Sequence, residues 1–231
     1  MHIKILGTRG EIDKTARHHA KKSGVLINNL ILLDCGEREF LSCDPKYILI
    51  THLHPDHAYF VRHQEKFENN NIKIYAPEPY KQANICIAHK SFNLEDYKIT
   101  PIPTIHSIKV KSCAYLISHE NKKILYTGDM IWIEKRYHNL LKNLDLVITE
   151  ASFAREGGRV RRHEQTGQVF GHTGIPNLIR LFERFTNKIL FVHFGSWFYE
   201  DIHKSRDFFK HLARAHKIDL IIGYDGFSYI V

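Results

Sequence analysis

The sequence is poor in cysteine and has no long apolar run, and each shortage excludes a class of protein. It contains four cysteines, none of them in a C-x-x-C pair: Cys35, Cys43, Cys86 and Cys113. Their irregular spacing favours reduced thiols in a cytoplasmic protein over a disulfide-stapled secreted domain. No stretch approaches the roughly 18 uninterrupted apolar residues that a membrane span needs. We therefore expect a cytoplasmic protein without membrane contact.

Internal repeats and low-complexity tracts are also lacking, and what remains has the composition of an ordinary globular protein. Hydrophobic residues make up 43% of the 231-residue chain and charged residues 25%. Residues 1–231 are therefore predicted to fold as a single domain. The formal net charge is +8. A basic surface attracts anions such as phosphates or nucleic acid, although a lysine-rich surface also serves solubility alone.

Strand and helix patterns alternate along the chain without a linker, which predicts an α/β fold with sheets inside and helices outside. Strands are predicted at residues 3–6, 25–27, 30–33, 47–51, 72–75, 99–105, 112–118, 124–127, 144–149, 188–193, 219–222 and 227–231. Helices are predicted at residues 58–67, 77–89, 132–142, 175–185 and 199–216.

The most informative feature is the segment that follows the apolar run at residues 47–50. It reads H-x-H-x-D-H and places His52, His54, Asp56 and His57 close together in the chain. An apolar strand that ends in a turn crowded with imidazoles and a carboxylate is typical of a site for zinc or a neighbouring divalent metal. Chance would produce this pattern in about one such chain in two hundred. A solvated histidine-rich turn is the alternative.

Three further candidate ligands stand where predicted strands end. His106, Asp129 and His193 each follow an apolar strand, and an ionisable side chain in that position is costly to bury without a partner. Taken singly, each is better explained as a turn-forming aspartate or a hydrogen-bonded histidine. Together with the cluster at residues 52–57, they predict one metal site assembled from several strand ends.

The order and spacing of these residues resemble the metallo-β-lactamase fold over essentially the whole chain. The resemblance implies an αββα sandwich of two mixed β-sheets with helices on the outer faces. It also implies two divalent metal ions with seven ligands: His52, His54 and His106 for the first, Asp56, His57 and His193 for the second, and Asp129 as a bridge between them. Because His54 stands where the flavodiiron branch has glutamate, the resemblance favours two zinc ions, with manganese as the alternative.

Three further segments, at residues 149–153, 171–173 and 224–227, are similar to ribonuclease Z and its small phosphodiesterase relatives. In that branch a glutamate and a histidine protonate the leaving oxygen, and the resemblance assigns these roles to Glu150 and His172. Asp56 would orient the metal-bound hydroxide that attacks phosphorus, or accept its proton. The resemblance thus implies a dinuclear phosphodiesterase that acts on RNA, DNA or a cyclic or other small phosphodiester.

An arginine-rich segment lies between Glu150 and His172. Its basic side chains follow a pair of glycines and are Arg159, Arg161, Arg162 and His163. The segment is predicted to be a mobile loop that binds substrate phosphates, because guanidinium groups hold phosphate in a planar fork. The alternative is a solvated loop without a role in binding.

Departures from ribonuclease Z keep other functions open. The chain between His57 and Asp129 has no room for the long arm that grips tRNA, and residues 193–198 lack the arginine of the family's H-F-S-x-R-Y stretch. Two rivals therefore remain: a lactonase or thioesterase of the same fold, and a non-catalytic basic protein that binds nucleic acid. The family often dimerises, so a homodimer also stays open.

Overall fold

The structure is a computed structural model that describes residues 1–62, 64–67 and 71–231, and these contain seventeen strands and four α-helices. The strands are β1 (His2–Gly7), β2 (Gly24–Ile27), β3 (Ile31–Leu33), β4 (Tyr47–Leu49), β5 (Lys73–Ala76), β6 (Ile85–Ile87), β7 (Phe92–Leu94), β8 (Tyr97–Ile105), β9 (Cys113–His119), β10 (Lys122–Tyr126), β11 (Trp132–Ile133), β12 (Leu146–Ala151), β13 (Arg159–Arg162), β14 (Val169–His172), β15 (Lys188–Phe194), β16 (Asp219–Ile222) and β17 (Ser228–Ile230). The helices are α1 (Tyr59–Arg62), α2 (Ile175–Phe182), α3 (Ser196–Glu200) and α4 (Ile202–His216), with 3-10 helices at Arg38–Cys43 and Lys135–Leu141.

The strands form two large mixed sheets and one separate hairpin. The first sheet has the order β17-β1-β2-β3-β4-β5-β6, and the second has the order β11-β8-β9-β10-β12-β15-β16 with β7 beside β8. Strands β13 and β14 pair only with each other among the described residues. Parallel pairing runs from β3 to β6 in the first sheet and links β10, β12, β15 and β16 in the second.

Alternating side chains show that both faces of the first sheet are covered. Val25 and Ile27 of β2 pack toward the second sheet, in a core that also contains Tyr115 of β9. Leu26, between them in the chain, points to the opposite face and belongs to a cluster with Phe60 of α1. The first sheet therefore lies between the second sheet and a layer that includes α1.

The second sheet is covered in the same way. Ile148 of β12 faces the core shared with the first sheet, whereas Val147 faces a cluster that contains Leu178 of α2 and Phe209 of α4. The predicted αββα sandwich is thus confirmed. None of the helices in the described part of the chain combines the length and apolar character needed to cross a bilayer.

The predicted helix at residues 77–89 is wrong. Residues 77–84 contain bends and a turn, and residues 85–87 form β6, which adds in parallel to β5. The short apolar run at residues 85–87 fits a strand as well as a helix by periodicity, and its β-branched isoleucines favour the strand. The predicted helix at 132–142 is likewise replaced, first by β11 and then by a 3-10 helix.

Two other predicted helices are shorter than expected. The helix expected at residues 199–216 is divided, because Asp201 is extended (φ −157°, ψ 98°) between α3 and α4. The Asp201 side chain accepts a hydrogen bond from the Lys204 amide, and so caps the second helix. Within the described residues, the helix expected at 58–67 ends at Arg62; residue 63 lies outside them.

Candidate metal centre and active site

The seven candidate ligands converge beyond the carboxyl ends of strands from both sheets. The first sheet contributes the turn after β4, and the second contributes the residues at the ends of β8, β10 and β15. Two groups form, and the ligand atoms within each lie within 4.8 Å of one another: His52, His54 and His106 in one, and Asp56, His57, Asp129 and His193 in the other. The structure thus brings together residues up to 141 positions apart, from 52 to 193.

Asp129 lies between the two groups. Its Oδ2 atom is 3.3 Å from His57 Nε2 and 3.7 Å from His52 Nε2. Its Oδ1 atom is 3.3 Å from His193 Nε2. One carboxylate therefore faces imidazoles of both groups, which is the position that a bridging ligand requires.

Asp34 orients two of these histidines, although sequence reasoning assigned it no such role. Its Oδ2 atom is 2.7 Å from His57 Nδ1 and accepts a hydrogen bond from the Tyr126 hydroxyl at 2.8 Å. Thr51 donates its amide and its hydroxyl to Asp34, and its hydroxyl oxygen is 3.0 Å from His52 Nδ1. With Nδ1 engaged on both imidazoles, Nε2 of each is left to bind a metal.

Two other imidazoles are held at Nδ1 in the same way. His106 donates to the Gly171 carbonyl at 3.0 Å, and Ser23 Oγ lies 2.8 Å from His193 Nδ1. His193 is also the extra residue of a β-bulge, because the neighbouring pairs join Val192 and Phe194 to consecutive residues of β12. Its left-handed φ of 51° accompanies this bulge, which turns a strand residue toward the site.

Unsatisfied buried atoms in this cluster fit a bound divalent cation. His52 Nε2, His57 Nε2 and Asp129 Oδ1 are buried and have no hydrogen-bond partner among the described residues. Burial and the neighbouring histidines hold the pKa of His52 well below 6.5 and lower the pKa of His54 to about 4. Neutral imidazole is the form that binds metal, and a metal would satisfy atoms that are otherwise costly to bury.

The Asp129 carboxylate favours its charged form. Burial raises the pKa of Asp129, but His193, His57 and His172 outweigh burial and hold that pKa well below 3.8. Burial lowers the pKa of His57, yet the surrounding carboxylates, led by Asp129 and then Asp34, raise it above 6.5. An ionised carboxylate among imidazoles is the donor set that zinc and its neighbours prefer.

Glu150 and His172 form a hydrogen-bonded pair beside the cluster. His172 Nδ1 is 2.8 Å from Glu150 Oε2, and Glu150 Oε1 accepts from the Met130 amide at 2.7 Å. Burial lowers the pKa of His172, but Glu150 and Asp129 outweigh it and raise the pKa to about 9. The catalytic cavity, about 310 Å³ and lined by Asp56, Asp129, His172 and His193 among others, joins the pair to the candidate metal ligands.

The arginine-rich segment is a β-hairpin rather than a loop. Arg159 pairs with His172, and Arg161 pairs with Phe170, so these four side chains share one face. That face lines a small cavity of about 240 Å³ next to the catalytic cavity. Arg162 instead donates to the Gly167 carbonyl within the hairpin.

His163 lies at the turn of this hairpin, away from the side chains that line the site. Its Nδ1 atom is bonded to Thr166, with the Thr166 hydroxyl at 3.1 Å and the Thr166 amide at 3.3 Å. Of the four basic residues expected to bind substrate, Arg159 and Arg161 therefore line the cavities, whereas Arg162 and His163 make contacts within the hairpin.

The sequence profile of the beta-lactamase superfamily domain matches residues 37–194. That span includes all seven candidate ligands together with Glu150 and His172. The chain belongs to the beta-lactamase superfamily. Its two-sheet sandwich and its cluster of histidine and aspartate are those of a metallo-β-lactamase-fold metallohydrolase with a site suited to divalent metal. No curated protein sequence matches the chain.

Solved structures of the same fold extend this likeness over the full length. The metallo-β-lactamase fold protein YhfI from Bacillus subtilis is 18% identical, with a TM-score of 0.71 over 99% of this chain and 98% of its own. The short form of human tRNase Z is 16% identical, with a TM-score of 0.64 over 100% and 99%. A diphosphatase of the PhnP family is 16% identical, with a TM-score of 0.67 over 99% and 97%. At these identities the likeness shows the fold alone.

Proposed function

We propose that the protein is a dinuclear metal-dependent phosphodiesterase, most suited to zinc, with manganese as the alternative. The observation that carries this proposal is the Glu150–His172 pair, bonded at 2.8 Å, which opens into the same cavity as the metal ligands. A thioesterase needs a proton donor at this place less, because a thiolate leaves without protonation. An alkoxide leaving from phosphorus needs one. The similarity to tRNase Z and to a PhnP-family diphosphatase supports the same class.

Each residue of the site has a role in this proposal. His52, His54 and His106 would hold one ion, Asp56, His57 and His193 the other, and Asp129 would contact both. Bound ions would supply Lewis acidity toward the phosphoryl oxygens and activation of a water molecule.

The remaining steps belong to side chains. Asp56 orients the attacking water and accepts its proton. Arg159 holds a phosphoryl oxygen through its guanidinium group. His172, bonded through Nδ1 to Glu150, donates the proton on Nε2 to the leaving oxygen.

Two substrates with different leaving groups test the proposal. p-Nitrophenolate leaves without protonation, whereas the sugar alkoxide of a dinucleotide does not. His172→Ala should therefore reduce kcat for a dinucleotide by about 10²-fold or more, and should cost much less on bis(p-nitrophenyl) phosphate. Asp56→Ala should abolish turnover of both. His203→Ala, at an exposed position of α4, is the matched histidine control and should change neither.

The outcomes separate the rival functions. Equal losses on both substrates in His172→Ala would make His172 a structural residue and remove the argument for phosphodiesters. If protein fully loaded with zinc or manganese hydrolyses neither phosphodiester, lactones and thioesters would be tested next. Salt-sensitive binding of nucleic acid without any turnover would indicate a binding protein.

A further inference from the structure

A larger cavity adjoins the site and has no part in the proposed mechanism. This distal cavity has a volume of about 620 Å³ and lies between β8, the segment after His106 and the turn of the β13–β14 hairpin. Ligand pockets have volumes of roughly 300–1,000 Å³. The distal cavity is therefore large enough for a ligand of its own.

The distal cavity and the catalytic cavity both adjoin a third cavity. Between them lies the small cavity of about 240 Å³ on the face of the hairpin. This small cavity shares Ser107 with the distal cavity and shares Arg159 and His172 with the catalytic cavity. The shared lining residues thus define a track along the protein that leads from the metal ligands, past His172, Arg161 and Phe170, to the distal cavity.

The walls of the distal cavity combine apolar surface with positive charge. Pro101, Pro103 and Val110 provide apolar surface, whereas Lys109 and Lys111 provide cations. His89 adds an imidazole, and Gln168 adds an amide at the hairpin turn. Glu78 is the one acidic residue of this lining, and it accepts a hydrogen bond from the Lys111 amide at 3.1 Å. A ligand with an apolar part and a negative charge matches these walls, and a nucleotide, with its base and its phosphate, is such a ligand.

The polar turn that carries both lysines is ordered by its own hydrogen bonds. Ser107 Oγ accepts from the Lys109 amide at 3.1 Å and from the Val110 amide at 3.4 Å. The turn directly follows the candidate ligand His106 in the chain. The backbone that carries Lys109 and Lys111 is therefore ordered and directly joined to the segment of the candidate ligand.

We propose that the distal cavity binds the leaving nucleotide of a linear dinucleotide or oligonucleotide; this inference rests on the proposed phosphodiesterase function. The track to the cavity passes His172, the proton donor to the leaving oxygen, so the departing part of the substrate lies on this side. Water adds to phosphorus, the bond from phosphorus to the leaving oxygen breaks, and that oxygen takes the proton from His172. A cyclic mononucleotide has no separate leaving nucleotide and would leave the cavity empty.

A comparison of substrates tests this subsite. We would measure KM for thymidylyl-thymidine carrying a 3′-phosphate and for bis(p-nitrophenyl) phosphate with zinc-loaded protein. The double variant Lys109→Ala/Lys111→Ala should raise KM for the dinucleotide about tenfold relative to KM for bis(p-nitrophenyl) phosphate, because it removes two charge contacts. Ile108→Glu, at an exposed residue of the cavity wall (38% exposed), should act in the same direction. Lys204→Ala, on the exposed side of α4, is the control and should leave the ratio unchanged.

The results distinguish this inference from the proposed function. Equal changes of both KM values, or cyclic nucleotides hydrolysed as efficiently as the dinucleotide, would overturn the subsite while leaving a phosphodiesterase. If no phosphodiester is hydrolysed, the proposed function fails. The distal cavity is then tested on its own by measuring how tightly a fluorescent phosphorothioate trithymidylate binds to the parent protein and to the double lysine variant. Weaker binding to the double lysine variant would support the subsite, and equal binding to both proteins would overturn it. Ile108-dependent turnover of a long-chain thioester would show that the cavity holds an acyl chain.

Discussion

At the scale of single residues, the metal site depends on the groups that hold its ligands. Four imidazoles are fixed at Nδ1 by a hydroxyl, a carboxylate or a carbonyl: those of His52, His57, His106 and His193. Each fixed ring presents Nε2 to the site, so little conformational freedom is lost when a metal binds. Asp34 is the most connected of these supports, because it holds His57 directly and His52 through Thr51.

Asp34→Asn tests this support. The substitution keeps the size of the side chain but removes the charge that fixes the His57 tautomer. We expect zinc affinity to fall by about 10- to 100-fold, the usual cost of losing such a partner. Calorimetric titration of zinc into metal-free protein would measure the change, with Tyr126→Phe as a control that removes another hydrogen bond to Asp34. Unchanged affinity in Asp34→Asn would mean that the ligands hold their geometry unaided.

His19 makes the stability of the metal-free protein depend on pH. This imidazole is buried beside Thr8, and burial lowers its pKa to about 4, against 6.5 in the unfolded chain. Between these values the unfolded chain binds more protons, so stability is lost as pH falls from 6.5 toward 4. The loss approaches about 1.4 kcal/mol per pH unit for one proton. Urea unfolding of His19→Gln should show a shallower pH dependence than the parent, and parallel curves would contradict this cause.

The clustering of the candidate ligands could be predicted from the sequence, but most of the groups that hold them could not. His52, His54, Asp56 and His57 are neighbours in the chain, so their chemistry is visible as a motif. The partner of His193 is Ser23, 170 positions away, and no local pattern connects the two. The position of Asp34 was visible in the sequence, because it ends an apolar strand as the other ionisable residues of the site do. Its hydrogen-bond partners could be identified only from the folded structure.

At the scale of elements, the β13–β14 hairpin converts an arginine-rich sequence into two different surfaces. Alternation along β13 sends Arg159 and Arg161 to the face shared with His172 and sends Arg162 to the other face. From composition alone, the three arginines are equally good candidates for binding phosphate. The strand period of two separates them.

Substitutions on the two faces of the hairpin should therefore differ. Arg161→Ala removes a cation next to His172 and is expected to raise KM for a dinucleotide about five- to tenfold, as the loss of one charge-assisted contact would. Arg162→Ala removes the same charge from the same strand but on the opposite face, and is expected to change KM less than twofold. Steady-state kinetics on both variants compares them directly. Equal effects would mean that the hairpin acts through its net charge alone.

Regular elements with strong patterns were predicted well, and short or interrupted ones were not. The strands that carry ligands, such as β8 and β15, are long apolar runs whose ends place His106 and His193 correctly. The turn to Asp129 also depends on a local feature, since Gly128 has φ +57° and a Cβ there would lie 2.5 Å from Thr51 Oγ1. By contrast, β6 is stabilised by its partner β5, and Asp201 interrupts a helical pattern through its own cap. Tertiary pairing and capping decided these cases against periodicity.

At the scale of the whole molecule, the candidate site joins the two sheets. Ligands at residues 52–57 follow β4 of the first sheet, whereas His106, Asp129 and His193 belong to the second. The shared core of apolar side chains holds the sheets together in any case. Metal binding adds contacts that exist only when both sheets are folded and in register.

A bound metal is therefore expected to stabilise the entire fold rather than one loop. Zinc at about 1,000 times its Kd contributes about 4 kcal/mol, which corresponds to a rise in Tm of roughly 8–15 °C for a chain of this size. Calorimetry of metal-free and zinc-loaded protein should show one transition that moves upward as a unit, and a chelator should reverse the shift. Asp129→Ala, which removes the carboxylate between both groups, should lose most of the shift. If the rise in Tm persists in this variant, the stabilising zinc binds elsewhere among the chain's 17 histidines. If zinc raises only part of the unfolding transition, the two sheets are not joined through the site.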